Sequence, residues 1–383
     1  MEIAPSALAR LTSGKAVANT AIRWLPFFLP TLALAFNSST STLAAILGAA
    51  EACGIATLVA GRWLDAGKER AVMIGALFTV AASSMVALYG SVWTFLVAAM
   101  MIGLSSGFVT VSGHAWISAR VQFHRRARFI GVFETSWASA LLIGAPIMAL
   151  LISAFGWRGP FVAIGVAALV VAALVWSIDD GEPRQLAAET DGPKLKITMD
   201  AWLVIGASAA ISLAGLATIV VAGTWLDEVL GVSTGGIGLV AMSFGAAELF
   251  ASMSSSAFAD RLGKLRTMRV AVGTVLVGLL VISLAGTSRL VGGVGLLVFF
   301  VAFEYAIVTS FSLVSEAMPE ARGRTLGISG AVGTVSRGLG VVAAGFLYDA
   351  YSIDGPAALS AVAACVTLVL LATANRRSSL SIR

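Results

Sequence analysis

The sequence predicts an all-α polytopic membrane protein, with twelve transmembrane helices arranged as two pseudo-symmetric six-helix bundles. Three observations lead there. The first is composition: 58% of residues are hydrophobic and only 12% charged, against about 25% charged in soluble domains, and mean hydropathy is +0.94. The second is that apolar runs of roughly 18 residues or more recur from end to end, each long enough to cross a bilayer as a helix. The third is that the second half of the chain repeats features of the first in register. No water in the hydrocarbon core satisfies backbone groups, and a helix satisfies its own. The 40 glycines let such helices approach closely.

Taken in order, the apolar runs place spans at roughly 16–37, 42–61, 71–90, 93–119, 129–152, 159–177, 202–224, 235–258, 268–286, 290–314, 326–348 and 355–374. The charged stretch AGRWLDAGKERAV, from Ala60 to Val72, separates the second span from the third. FADRLGKLRTMRV, from Phe258, separates the eighth from the ninth. Asp179 to Asp200 carries Pro183, Pro193 and many charges but no apolar run, so it reads as a solvated linker. The expected domains are therefore 1–178, a linker at 179–200, and 201–383. All but four of the 25 Lys and Arg fall on one side if the N-terminus is cytoplasmic; the exceptions are Arg23, Arg158, Arg289 and Arg337. The positive-inside rule then puts both termini, the linker and both charged hairpins in the cytoplasm. That bias accounts for the +5 net charge, and no nucleic-acid partner is called for. The residues before Lys15 show no cleavable leader, so the first span is expected to serve as its own insertion signal. Cys53 and Cys365 sit in apolar runs of opposite halves and read as small buried hydrophobes without a disulfide.

The repeat is specific. Displacing RARFIGVFETSWASALLIGAPIMALLISAFGWRGP by 196 residues lays it on RGRTLGISGAVGTVSRGLGVVAAGFLYDAYSIDGP. Arg126, Arg128, Gly131, Gly144, Gly159 and Pro160 then coincide with Arg322, Arg324, Gly327, Gly340, Gly355 and Pro356. Asp65 and Asp260 correspond at a displacement of 195. Two halves repeated in one orientation are the architecture of the major facilitator transporters. SAFADRLGKLR resembles that superfamily's motif G-x-x-x-D-R-x-G-R-R through Asp260, Arg261, Gly263, Lys264 and Arg266, with Ser256 at the first Gly. GRWLDAGKER resembles it through Gly61, Asp65, Gly67, Lys68 and Arg70, one residue shorter and with Ala66 at an Arg position. The resemblance implies the major facilitator fold, transport of a small molecule and a conformational latch. In it Asp65 faces the start of the eleventh span, and Asp260 the start of the fifth. An acid at a helix N-terminus gains roughly 0.3–1 kcal/mol, up to about 2 when partly buried. The plain alternative is a pair of charged turns that only set topology.

ASALLIGAPIMALLISAFGWRGPF resembles the Gly-Pro segment of the drug–proton antiporter branch around Gly144 and Pro146. Ala149-Leu150 replaces the paired Gly there, and Ala99 stands near where that branch has an Arg in the fourth span. RWLPFFLP, GAAELFASMSSSAFADRLGK and FEYAIVTSFSLVSEAMPEARGR resemble segments of bacterial exporters, which points to efflux across a bacterial inner membrane.

Ionisable residues inside spans cost roughly 2.5–3.5 kcal/mol each and are functional candidates by default. Glu51, Glu248, Glu304 and Arg337 fall near mid-span, whereas Arg23 and Glu134 lie about 8–11 Å from the cytoplasmic end. Arg23 and Glu134 can snorkel, pair with each other, or face the central cavity beside Trp24. Glu304 leads as proton-coupling residue, because the resemblance places the tenth span on that cavity; a structural hydrogen bond is its plain alternative. Glu248 is second, and Glu134 and Glu51 complete the set, with helix packing the alternative for Glu51. His114 reads as a packing histidine or a proton relay. Trp24, Phe133, Trp137 and Tyr305 read as core or as walls of an apolar pocket, with Arg23 and Arg337 as further substrate contacts. Asn37-Ser38-Ser39 matches a glycosylation pattern, without meaning in a bacterium. No metal site or cofactor is expected from two histidines and no His/Cys/acid cluster, and no G-x-x-x-x-G-K-[ST] supplies an ATPase.

The leading expectation is a monomeric, proton-coupled secondary transporter that exports a small amphipathic compound by alternating access. Uptake of an organic anion clamped by Arg23 and Arg337 is the alternative within that class. An intramembrane enzyme would need a clustered metal or nucleophile. A non-transporting sensor would need a soluble output domain larger than the linker.

Overall fold

The computed structural model describes residues 4–178 and 196–381, and every element in it is helical. Most of the expected linker lies outside the described residues. Pro5 opens α1 (Pro5–Arg23), where its missing N–H costs nothing. The chain then makes a 3₁₀ turn, Leu25–Phe28, before α2 (Leu29–Phe36). Next come α3 (Thr40–Ala52), a 3₁₀ stretch Cys53–Ala60, α4 (Gly61–Leu64), α5 (Glu69–Ala87) and α6 (Val92–Arg120). α7 (Phe123–Ser139) runs through a π turn, Ala140–Gly144, into α8 (Ala145–Phe155), followed by α9 (Arg158–Trp176). The remaining helices are α10 (Met199–Glu228), α11 (Thr234–Leu262), α12 (Lys264–Ser283), α13 (Arg289–Ala317), α14 (Arg322–Tyr351) and α15 (Asp354–Ser381).

Among the described residues, eleven helical stretches are long and apolar enough to cross a membrane, from Thr40–Thr57 to Asp354–Arg376. The expected first span, 16–37, is not one continuous helix. Pro26 has no N–H for the Ile22 carbonyl and its ring crowds that group, so α1 stops at Arg23 and α2 starts afresh. The π turn at Ala140–Gly144 has the same kind of cause: Pro146 cannot bond back to Leu142, and the ladder shifts by one residue ahead of it. Cys365 also departs from expectation, being exposed on α15, while Cys53 is half-buried; both are free thiols.

The chain divides into two compact units. Unit 1 comprises Met1–Leu25, Thr31–Ser38 and Ala49–Gly192; unit 2 comprises Pro26–Pro30, Ser39–Gly48 and Pro193–Arg383. In unit 1, α5 packs on α6 and α9, and α1 on α6, α7 and α9. In unit 2, α12 packs on α13 and α15, and α10 on α13, α14 and α15. The same pairings, displaced by half the chain, recur in each unit. The two hairpins repeat as well: Gly67 has φ +70 and Gly263 φ +83, backbone that a Cβ disfavours.

One repeated contact has opposite polarity in the two units. In unit 1 the start of α5 meets the end of α6 through Glu69 and Arg120, 3.9 Å apart and both nearly buried. The corresponding contact of unit 2 joins Lys264 at the start of α12 to Glu316 near the end of α13. Arg70, expected in the latch, donates to the carbonyls of Trp176 and Ile178 at the end of α9, a base on a helix C-terminus.

Reversing one charge of a buried pair leaves two like charges without compensation. Glu69→Lys is therefore expected to destabilise the purified protein by about 3 kcal/mol. Glu69→Lys combined with Arg120→Glu recovers most of the loss, because unit 2 already carries that polarity. Thermal unfolding of the unaltered protein, the single variant and the double variant measures both steps.

Candidate functional site

In unit 1, the sequence puts Lys15, Asn19 and Arg23 four residues apart on α1, which lines them along one helix face. α6 brings Ser106 and His114, and α7 brings Phe133, Glu134, Ser136 and Trp137. The three helices share a polar seam. Lys15 Nζ donates to Glu134 Oε1, and His114 Nε2 lies 2.6 Å from the same oxygen. An ionised Glu134 only accepts, so in that state the hydrogen sits on Nε2. Further along α1, Asn19 Nδ2 donates to Ser136 Oγ at 3.4 Å and Asn19 Oδ1 accepts from Ser106 Oγ at 3.5 Å. Arg23 Nη1 donates to the Trp137 carbonyl at 2.6 Å, and its guanidinium stacks 4.3 Å from the Trp137 ring centroid.

Burial sorts these groups. Lys15 is 1% exposed and Asn19 fully buried, whereas the His114 and Glu134 side chains are 38% and 42% exposed. The lysine is sealed in, and the acid and histidine reach an opening. Phe133 forms the floor: it is fully buried, its ring faces Lys15 Nζ at 4.7 Å and meets His114 edge-on at 5.6 Å. Gly113 makes room for it, since a Cβ there would come within 2.1 Å of the ring. Chemically, one carboxylate oxygen serves two basic groups, so protonating Glu134 would weaken its hold on both.

Sequence reasoning singled out Glu134, His114, Arg23, Phe133 and Trp137, and the structure brings these five together. It pairs them differently: Arg23 goes to Trp137, and Glu134 takes Lys15 and His114. Lys15, Asn19, Ser106 and Ser136 were missed. The i, i+4, i+8 spacing of Lys15, Asn19 and Arg23 was the available signal. Trp24 is fully buried with its ring edge-on to Phe161 at 5.4 Å, a packing role in this structure.

Unit 2 holds the other candidates. Glu248 on α11 and Glu304 on α13 are both buried. Arg337 on α14 donates to Thr334 Oγ1 at 3.1 Å, and Tyr305 shares a hydrogen bond with Ser254. Glu51, in unit 1, ends α3 half-buried. Of the hairpin residues, Gly61 opens α4, Asp65 is exposed at its end, and Arg261 and Arg266 are exposed around Gly263. The Asp260 side chain lies outside the described residues. Among the described residues, no three His, Cys, Asp or Glu side chains gather as a metal site.

Two repeated helical units with charges held between membrane-spanning helices define a secondary transporter. The chain matches the Major Facilitator Superfamily over residues 11–322 and 205–381, and it belongs to that family. It is 23% identical over 358 residues, 89% of this chain and 84% of the other, to an uncharacterised MFS-type transporter, YwfA of Bacillus subtilis (strain 168). A D-xylose–proton symporter shares the fold with a TM-score of 0.78 at 17% identity, covering 94% of this chain and 96% of that one. A bacterial homologue of the human lysosomal transporter Spinster, inward-facing and occupied, gives 0.74 at 14% identity over 97% and 96%.

A buried ammonium needs its carboxylate. Glu134→Gln and Lys15→Met are each expected to lower the melting temperature, and the double variant to lose less than their sum. A double-mutant cycle should yield a coupling of at least about 1 kcal/mol; additive effects would mean that the pair is not formed.

Proposed function

We propose that this transporter exports a small amphipathic compound in exchange for protons, with Glu134 as the proton-carrying group. The observation behind this reading is the Lys15–Glu134–His114 cluster, in which a partly open carboxylate is the shared acceptor of a sealed lysine and an accessible histidine. A transporter couples a proton to its cargo when the proton is bound differently in two conformations. Glu134 is suited to that, because its charge is what makes the buried Lys15 tolerable. A proton on Glu134 forces Lys15 and His114 to find other acceptors, and the three helices carrying them must adjust. Glu304 and Glu248 rank behind Glu134 for coupling because both are buried, and Glu51 follows them.

Export rests on the Gly144–Pro146 segment and its π turn. The amphipathic cargo rests on the neighbouring Arg23–Trp137 pair, a cation stacked on a partly exposed indole. A second reading, proton-coupled uptake of an organic anion, draws on the same Arg23 guanidinium, whose planar donors suit a carboxylate. Asp65 and Asp260 are the latch acids in this scheme, with both termini and both hairpins in the cytoplasm.

Accumulation of a compound panel in cells with and without the protein identifies a cargo and its direction. With that cargo in proteoliposomes, Glu134→Gln is expected to abolish transport driven by a pH gradient while exchange without a gradient persists. Intact gradient-driven transport in Glu134→Gln, with loss in Glu304→Gln, would move the coupling role to α13. Asp65→Asn is expected to raise labelling of single cysteines placed near the cytoplasmic hairpins; unchanged labelling would leave Asp65 a topology signal.

A further inference from the structure

α5 and α6 of unit 1 enclose a groove of about 500 Å³ whose lining includes Trp63, Lys68, Val72, Gly75, Thr79 and Phe108. Both helices are membrane-spanning stretches. The hydroxyls in the lining are already satisfied. Thr79 Oγ1 donates to the Gly75 carbonyl at 2.9 Å and Ser105 Oγ to the Met101 carbonyl at 2.6 Å. Each is spent on its own helix, so the wall offers little to a polar solute and much to hydrocarbon. Gly75 borders the open space of the groove, since a Cβ there would meet nothing within 4 Å.

The polar groups gather at one end. Lys68, at the start of α5, is exposed and makes no ion pair among the described residues. Beside it the Trp63 ring, 6.5 Å from Phe108, carries the exposed Arg62 guanidinium stacked at 4.3 Å. Asp65 is the one exposed acid of the hairpin, Glu69 being turned to Arg120, so the mouth is net basic. From Lys68 to Thr79 the helix rises about 16 Å. That is half of a hydrocarbon core about 30 Å thick. A basic, tryptophan-flanked mouth at the polar end of one leaflet's depth of apolar groove matches the length and complements the charge of a single anionic phospholipid.

A related groove of about 500 Å³ lies between α12 and α13 of unit 2, lined by Leu262, Val270, Thr274 and Tyr305 among others, but no base is in its lining. The reversed bridge explains the difference. Unit 1 uses Glu69 at the helix start and leaves Lys68 unengaged, whereas unit 2 spends Lys264 on Glu316.

We propose that the α5–α6 groove is a binding site for one anionic phospholipid, its phosphate at Lys68 and one acyl chain running past Gly75 to Thr79. The site is separate from the Lys15–Glu134–His114 cluster and does not depend on the cargo or the coupling ion.

The test is native mass spectrometry of the full chain in detergent, titrated with phosphatidylglycerol or with phosphatidylcholine. One phosphatidylglycerol is expected to be retained over phosphatidylcholine. Lys68→Ala should weaken it about tenfold, and Gly75→Leu, which fills open space, should displace it without lowering the melting temperature. Val270→Leu, in the unit 2 groove, should leave it bound. Equal retention of the two lipids, unchanged retention in Lys68→Ala, or loss in Val270→Leu would overturn the proposal. Should Gly75→Leu not fold, Lys68→Ala and Val270→Leu still decide.

Discussion

A lysine ammonium sealed inside a helix bundle requires an anion, and in this protein Glu134 is that anion. The cost of an uncompensated buried charge is several kcal/mol, which would be a large share of the stability of an ordinary domain. It fixes much else in unit 1. α1 must present Lys15 to α7, Phe133 must lie beneath the ammonium, and Gly113 must leave α6 bare where that ring rests. Because Glu134 also meets His114 and is partly exposed, the contact that stabilises the bundle is the one that a proton on Glu134 would undo. In the proposed scheme, stability and coupling share one carboxylate oxygen.

The internal repeat accounts for what the two units have in common and throws their differences into relief. Equivalent helices pair in each, and each hairpin turns on a glycine with positive φ. The tie between the hairpin and the next helix survives with its charges exchanged. An ion pair is indifferent to which partner carries which sign, so a repeat can drift through that exchange once both charges change. The surroundings are not indifferent, and the exchange decides which groove keeps an unengaged lysine at its mouth.

Much of the fold was legible because bilayer chemistry leaves few options. Runs such as 202–224 and 290–314 have to be helices, and α10 and α13 contain them. The first span was harder. Hydropathy carries no term for the N–H that Pro26 lacks, so a run of apolar residues at 16–37 looked continuous where the chain breaks. The same averaging placed Lys15 outside the membrane as a flanking base, although α1 begins at Pro5 and carries it into the bundle. At the site, sequence reasoning found the charges of α7 and α6 from their depth. It could not pair them, because Arg23 and Lys15 stand eight residues apart on the same face of α1 and pattern alone does not say which meets Glu134. Trp24 shows another limit: sequence left it between core and pocket wall, and full burial with its ring edge against Phe161 gives it a packing contact in this structure.

Coupling through this cluster requires that Glu134 change its protonation state in the folded protein. Infrared difference spectroscopy of the protein in lipid, titrated with pH, observes protonated carboxyl groups directly. A carboxyl band that appears on acidification, vanishes in Glu134→Gln and shifts in His114→Gln is the expected result. A band that persists unchanged in Glu134→Gln and disappears in Glu304→Gln would contradict it.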